Sequence, residues 1–110
     1  MRRWGSRSLD VRATLDPRLR KWCDRVLHEV ADISLIYGYR DRELQNTLYE
    51  NGLSTLKYPD SKHNKRPAKA VDLQPYPRPG NDIKLAGALG WIAGRGQLIA
   101  DELGINLAGS

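Results

Sequence analysis

The chain has no phenylalanine, one cysteine, one methionine and only two histidines in 110 residues. A single thiol, Cys23, excludes an internal disulfide framework and a zinc knuckle built from cysteines. Cys23 is expected to be a small buried apolar residue. The absence of Phe argues against an RNA binder built on an aromatic platform. No apolar run approaches the roughly 18 residues that a membrane helix needs, so no membrane span is expected. The opening Met1-Arg2-Arg3-Trp4-Gly5-Ser6-Arg7 has the charge of a signal peptide but no apolar stretch behind it, which argues against an ordinary secretion signal. With His28 and His63 as the whole imidazole supply, a metal site is short of ligands.

What is abundant is positive charge. Lys and Arg number 18 against 13 Asp and Glu, a net charge of +5. Arg stands at positions 2, 3, 7, 12, 18 and 20, and Lys57, Lys62, Lys65, Arg66 and Lys69 surround His63. Such a balance suits nucleic acid, an anionic lipid surface or an acidic wall polymer, and equally a solvated surface with no specific partner. No nucleic-acid motif stands out. The length allows one domain, 1–110, with a small core.

The first dozen residues show no period, and residues 1–14 are expected to form a basic arm. Asp16-Pro17 supplies a helix N-cap with Pro at the first helical position. Behind it Leu19, Trp22, Cys23, Val26, Leu27 and Val30 recur at helical spacing, predicting an amphipathic helix to about Ala31. His28 lies off that stripe and is expected to be exposed. Residues 33–39 (Ile-Ser-Leu-Ile-Tyr-Gly-Tyr) predict a strand, and residues 41–50 a helix with Leu44 and Leu48 inward, closed by Asn51-Gly52. Residues 53–68 have no period and form a loop. Ala70-Val71-Asp72-Leu73 predicts a buried strand, halted by Pro75, Pro77 and Pro79. A long capped helix, 82–103, carries Leu85, Leu89, Ile92, Ile99 and Leu103 on one face, and Gly104 closes it. Gly87, Gly90, Gly94 and Gly96 weaken that helix and suggest close approach to a sheet. Ile105-Asn106-Leu107 looks like the start of another strand. The layout is α+β, a small antiparallel sheet packed by helices.

Chemistry concentrates between Ser61 and Asp72. An Asp within an apolar strand is costly unless it is paired, hydrogen-bonded or metal-bound. His63 in the preceding loop could supply a second ligand, since imidazole and carboxylate both suit Zn²⁺. A salt-bridged structural Asp is the alternative on these residues alone.

The order of Ile36-Tyr37-Gly38-Tyr39-Arg40, Gln45-Asn46, Ser61-Lys62-His63 and Ala70-Val71-Asp72-Leu73 resembles a known family. It is that of the zinc D-alanyl-D-alanine carboxypeptidases and dipeptidases, with the phage L-alanyl-D-glutamate endolysin peptidases. The likeness covers about residues 17–107 and implies a hedgehog/DD-peptidase-like fold. His63 and Asp72 stand nine positions apart, farther than in the family's common form and similar to phage-type members with Pro in that loop. The resemblance makes His63 and Asp72 the first two zinc ligands and Arg40 the catalytic residue that steadies the tetrahedral oxyanion, a task suited to its permanent planar charge. It makes Ser61 and, more weakly, Gln45 substrate-binding. Each has a structural alternative: Arg40 pairing with Asp41 or Asp72, Ser61 capping the loop.

The family's general base and third zinc-ligand His stand on a later strand, and no His follows His63. The resemblance therefore implies a chain that stops before that strand, or an oligomer in which another chain donates the ligand. The implied function is hydrolysis of the peptidoglycan stem peptide at the host cell wall, after cytoplasmic synthesis without a secretion signal. Two alternatives stay open: a catalytically degenerate wall-binding or structural domain, and a basic nucleic-acid-associated protein using the Arg-rich arm.

Overall fold

Short-range signals become four helices and one strand pair in the computed structural model, which describes residues 1–107. The order is α1 (Ser6–Ala13), α2 (Pro17–Glu29), β1 (Ile33–Tyr37), α3 (Arg42–Glu50), a 3₁₀ turn (Lys62–Asn64), β2 (Asp72–Pro75) and α4 (Asp82–Leu103). The α+β expectation holds, with a two-stranded antiparallel sheet. None of these helices is long and apolar enough to cross a membrane.

α2 follows its sequence signals closely. Asp16 caps it by accepting from the Arg18 N–H at 2.9 Å, Pro17 occupies the first turn, and Leu19, Trp22, Cys23, Val26 and Leu27 are buried. Burial pushes the Cys23 thiol up to about 12, which keeps it protonated and unreactive at neutral pH. His28 is exposed, as expected.

The expected irregular arm is instead largely helical: residues 6–13 form α1, packed on β1. It lacks an apolar stripe because polar contacts hold it. The Asp24 carboxylate accepts from Arg12 Nε at 2.8 Å, Arg12 Nη2 at 2.6 Å and Trp4 Nε1 at 2.8 Å. Ser8 Oγ, buried, accepts from the Leu35 N–H at 3.0 Å and so satisfies the outer edge of β1. Periodicity cannot report such contacts, since their partners stand far away in sequence.

β1 and β2 pair with Ile33 opposite Pro75 and Leu35 opposite Leu73, then shift at a bulge that sets Tyr37 opposite Asp72. The second strand starts two residues later than expected and includes Pro75. A proline fits there because the neighbouring Tyr76 N–H, bonding the Asp32 carbonyl at 3.0 Å, marks position 75 as one that needs no donor toward β1. Asp72 is thus the strand's first residue, not an interior one, and its side chain is 44% exposed.

α4 is capped by Asn81, whose side chain accepts from the Lys84 N–H, and ends at Gly104 with φ 67°. Bonds from Gly104 N to Asp101 O and from Ile105 N to Ala100 O form a Schellman closure. Residues 105–107 form no strand; Ile105 and Leu107 lean on the core instead. Of the expected inner face, Ile92 and Ile99 are buried, while Leu89 is 37% exposed. Only Gly96 serves close packing, and its neighbour is a helix: the Trp22 indole N–H donates to the Gly96 carbonyl at 2.8 Å. A Cβ on Gly96 would lie 2.8 Å from the Trp22 ring, whereas Gly87, Gly90 and Gly94 face open space.

Two stability predictions follow from this packing. Gly96→Ala should destabilise by roughly 1–3 kcal/mol through overpacking, while Gly90→Ala should stabilise by up to about 1 kcal/mol; urea unfolding separates them. Burial works to raise the Asp24 carboxyl pKa, but the bonds from Arg12 and Trp4 outweigh it and hold it below the usual value. A depressed carboxylate stabilises the fold above its unfolded pKa, about 3.9, and loses that contribution as pH falls through the folded value. Asp24→Asn should therefore be less stable than the parent at neutral pH, with the gap closing in strong acid.

Candidate functional site

Gly38 follows β1 in a position with no room for a side chain: a Cβ would stand 2.3 Å from Thr14 Oγ1 and 2.9 Å from Leu15 Cδ2. The Tyr39 N–H then bonds Thr14 Oγ1 at 2.9 Å, and the chain turns so that the Arg40 N–H meets the His63 carbonyl at 2.7 Å. Asp41 caps α3 by accepting from the Leu44 N–H, which leaves Arg40 to pair elsewhere. The segment after β1 and the 3₁₀ turn are thereby brought side by side.

Ser61 starts that turn. Its Oγ accepts from the His63 N–H at 3.1 Å, and its own N–H bonds Asn64 Oδ1 at 3.0 Å, a reciprocal cap. His63 is 2% exposed, and its Nδ1 lies 2.7 Å from the Gly38 carbonyl. A carbonyl only accepts, so Nδ1 carries a proton and the ring turns Nε2 toward Asp72. The Nε2 to Asp72 Oδ1 separation is 3.5 Å. Asp72 Oδ2 takes a hydrogen bond from Arg40 Nη2, while the Arg40 guanidinium lies over the Tyr37 ring, 5.0 Å from its centroid. Half-burial works to raise the Asp72 carboxyl pKa; hydrogen bonding and charge from His63, with Arg40 behind them, hold it below the usual value.

The fold thus unites Arg40, His63 and Asp72, which lie up to 32 positions apart in the chain. Arg40 pairs with Asp72 and not with Asp41. Ser61 and Gln45 are placed otherwise: both are fully buried and line neither of the two cavities at the site. Gln45 is a polar hub. Its Nε2 donates to Ser54 Oγ at 2.9 Å and to the Leu56 carbonyl at 2.7 Å, and its Oε1 accepts from Arg40 Nη1 at 3.4 Å and Asn64 Nδ2 at 3.3 Å. Both residues hold the site up from behind. Asn64 and Gly38, to which the sequence alone assigns no role, are equally structural to it. The Ser-x-x-Asn spacing of 61–64 was the available signal for the first.

His63 and Asp72 stand where two cavities meet. One, about 910 Å³, runs between α2, α4 and β2 with Leu19, Trp22, Ile92 and Leu73 on its apolar wall and Arg18 and Lys69 on its rim. The other, about 290 Å³, is polar and reaches Arg40 and residues 52–55. Among the described residues no group of three or more His, Cys, Asp or Glu side chains gathers to hold a metal. His63 and Asp72 supply two donors.

Removing the Gln45 amide should strip partners from the buried Asn64 and Arg40 groups. Gln45→Leu is expected to lower stability by roughly 1–3 kcal/mol, seen as an earlier urea midpoint, although Gln45 touches neither cavity. The sequence matches no protein-family model and has no significant match among curated proteins.

Proposed function

We propose that the chain hydrolyses a peptide bond of the cell-wall stem peptide as a zinc metallopeptidase on a hedgehog/DD-peptidase-like fold. The observation that carries this reading is the facing of His63 Nε2 and Asp72 Oδ1, 3.5 Å apart. Two acceptor atoms so close repel unless a positive charge, a proton or a metal ion, stands between them. Ligand atoms about 2.0–2.2 Å from a tetrahedral zinc lie roughly 3.4 Å from each other, so the spacing fits. The Nδ1–H bond to a backbone carbonyl is the usual way an imidazole ligand is oriented.

His63 and Asp72 would hold the zinc, which when bound supplies Lewis-acid polarisation of the scissile carbonyl. Arg40 provides a fixed planar cation at the edge of the smaller cavity, suited to the negative charge that develops on that oxygen. Its Nε is buried and has no hydrogen-bond partner among the described residues, so the guanidinium is only partly committed. The larger cavity offers an apolar wall for a side chain, and its rim, where Arg18 and Lys69 both pair with Asp16, keeps a net positive charge suited to the carboxylates of a stem peptide.

Incubation of purified cell wall with the protein and Zn²⁺ tests the reading. Cleavage that chelator abolishes, and that Arg40→Ala lowers by about a hundredfold or more, is expected. Absence of cleavage at high protein concentration overturns it, and wall pull-down without cleavage would favour a non-catalytic binding domain.

A further inference from the structure

The outer face of α4 carries a pattern that the core does not use. Lys84, Gly87, Trp91, Gly94, Leu98 and Asp101 recur in alternating steps of three and four residues, the spacing of a helix-pairing seam, and all six are exposed. Trp91 is 57% and Leu98 59% exposed, in a chain whose other large apolar side chains are mostly inward. Arg95 lies over the Trp91 ring, 5.1 Å from its centroid, which orders the indole at the surface. Gly87 and Gly94 have nothing within 4 Å of where a Cβ would stand. The face therefore alternates large apolar knobs with open notches.

The seam is also complementary to its own reverse. About a two-fold axis between residues 92 and 93, an antiparallel second copy sets Trp91 into the notch at its Gly94 and Leu98 into the notch at its Gly87. The same register puts Lys84 opposite its Asp101. A parallel copy would instead oppose Trp91 with Trp91, Lys84 with Lys84 and Asp101 with Asp101, a clash of bulk and of like charge. We propose that this face of α4 is a self-association surface whose occupant is a second copy of the chain, packed antiparallel. Glycine notches let two helices approach closely, and the three-four spacing favours a shallow crossing of about 20°. The arrangement stands apart from the peptidase reading: α4 lines the larger cavity through Leu89, Ile92, Ala93 and Gln97, of which only Gln97 touches the seam, donating to Asp101 Oδ1 at 2.8 Å.

A single helix pair makes a small interface, so the dimer should be a weak one. Sedimentation equilibrium of the whole chain from about 1 μM to about 1 mM should show a reversible monomer–dimer equilibrium. Gly94→Glu fills a notch at an exposed helical site that tolerates a side chain, and should raise the dissociation constant at least about tenfold with an unchanged circular dichroism spectrum. Lys84→Asp and Asp101→Lys should each weaken association, and the two together should restore it. A monomer throughout the range overturns the proposal. So does a dimer indifferent to Gly94→Glu, or one that the double charge exchange fails to restore.

Discussion

The hydrogen bond between His63 Nδ1 and the Gly38 carbonyl ties the 3₁₀ turn to the end of β1, beside the bond from the Arg40 N–H to the His63 carbonyl. It exists because residue 38 has no side chain. Thr14, Leu15 and the Val11 carbonyl occupy the space a Cβ would need, so the end of β1 presses directly on the end of α1. That contact fixes where the Gly38 carbonyl points, and the carbonyl fixes the tautomer and plane of the imidazole. The bulge between Leu35 and Tyr37 adds the last element by setting Asp72 opposite Tyr37, within reach of both His63 and Arg40.

Two kinds of cohesion divide the molecule. α2, α4 and the sheet close on an apolar cluster that includes Leu19, Trp22, Leu27, Leu35 and Ile99, where burial is non-directional and tolerant of small shifts. α1 and the loop carrying the site are held by polar hubs, the half-buried Asp24 in one case and the buried Gln45 with Asn64 in the other. Such hubs are directional, and an unmet buried group is expensive, so they specify one geometry. A site that must keep an imidazole and a carboxylate at a set separation gains from being built in the second way.

The legibility of the chain follows that division. α2 was readable because its apolar stripe and its Asp16-Pro17 start are local, and α3 because Asp41 caps it. α4 was readable in extent, but the use of its glycines was not: only Gly96 meets a neighbour, and that neighbour is Trp22 of a helix rather than a sheet. α1 was misread as an arm because Arg12, Trp4 and Ser8 act on partners 12 or more positions away. Ser61 and Gln45, which the resemblance makes substrate-binding, turn inward behind the site and line neither of its cavities, a direction that depends on neighbours no spacing reveals.

The sequence by itself determined the helices with strong periods and caps, the α+β class, the exposure of His28 and the burial of Cys23. Those features depend on residues a few positions apart, whose relative placement the backbone geometry dictates. It also singled out His63, Asp72 and Arg40 as the residues with chemistry to offer. Only the tertiary structure decided that the three converge, that Arg40 takes Asp72 over the adjacent Asp41, and that Nε2 rather than Nδ1 faces the carboxylate. Each of those choices is a competition between partners distant in sequence. The close approach at Gly38 settles which of them can be reached.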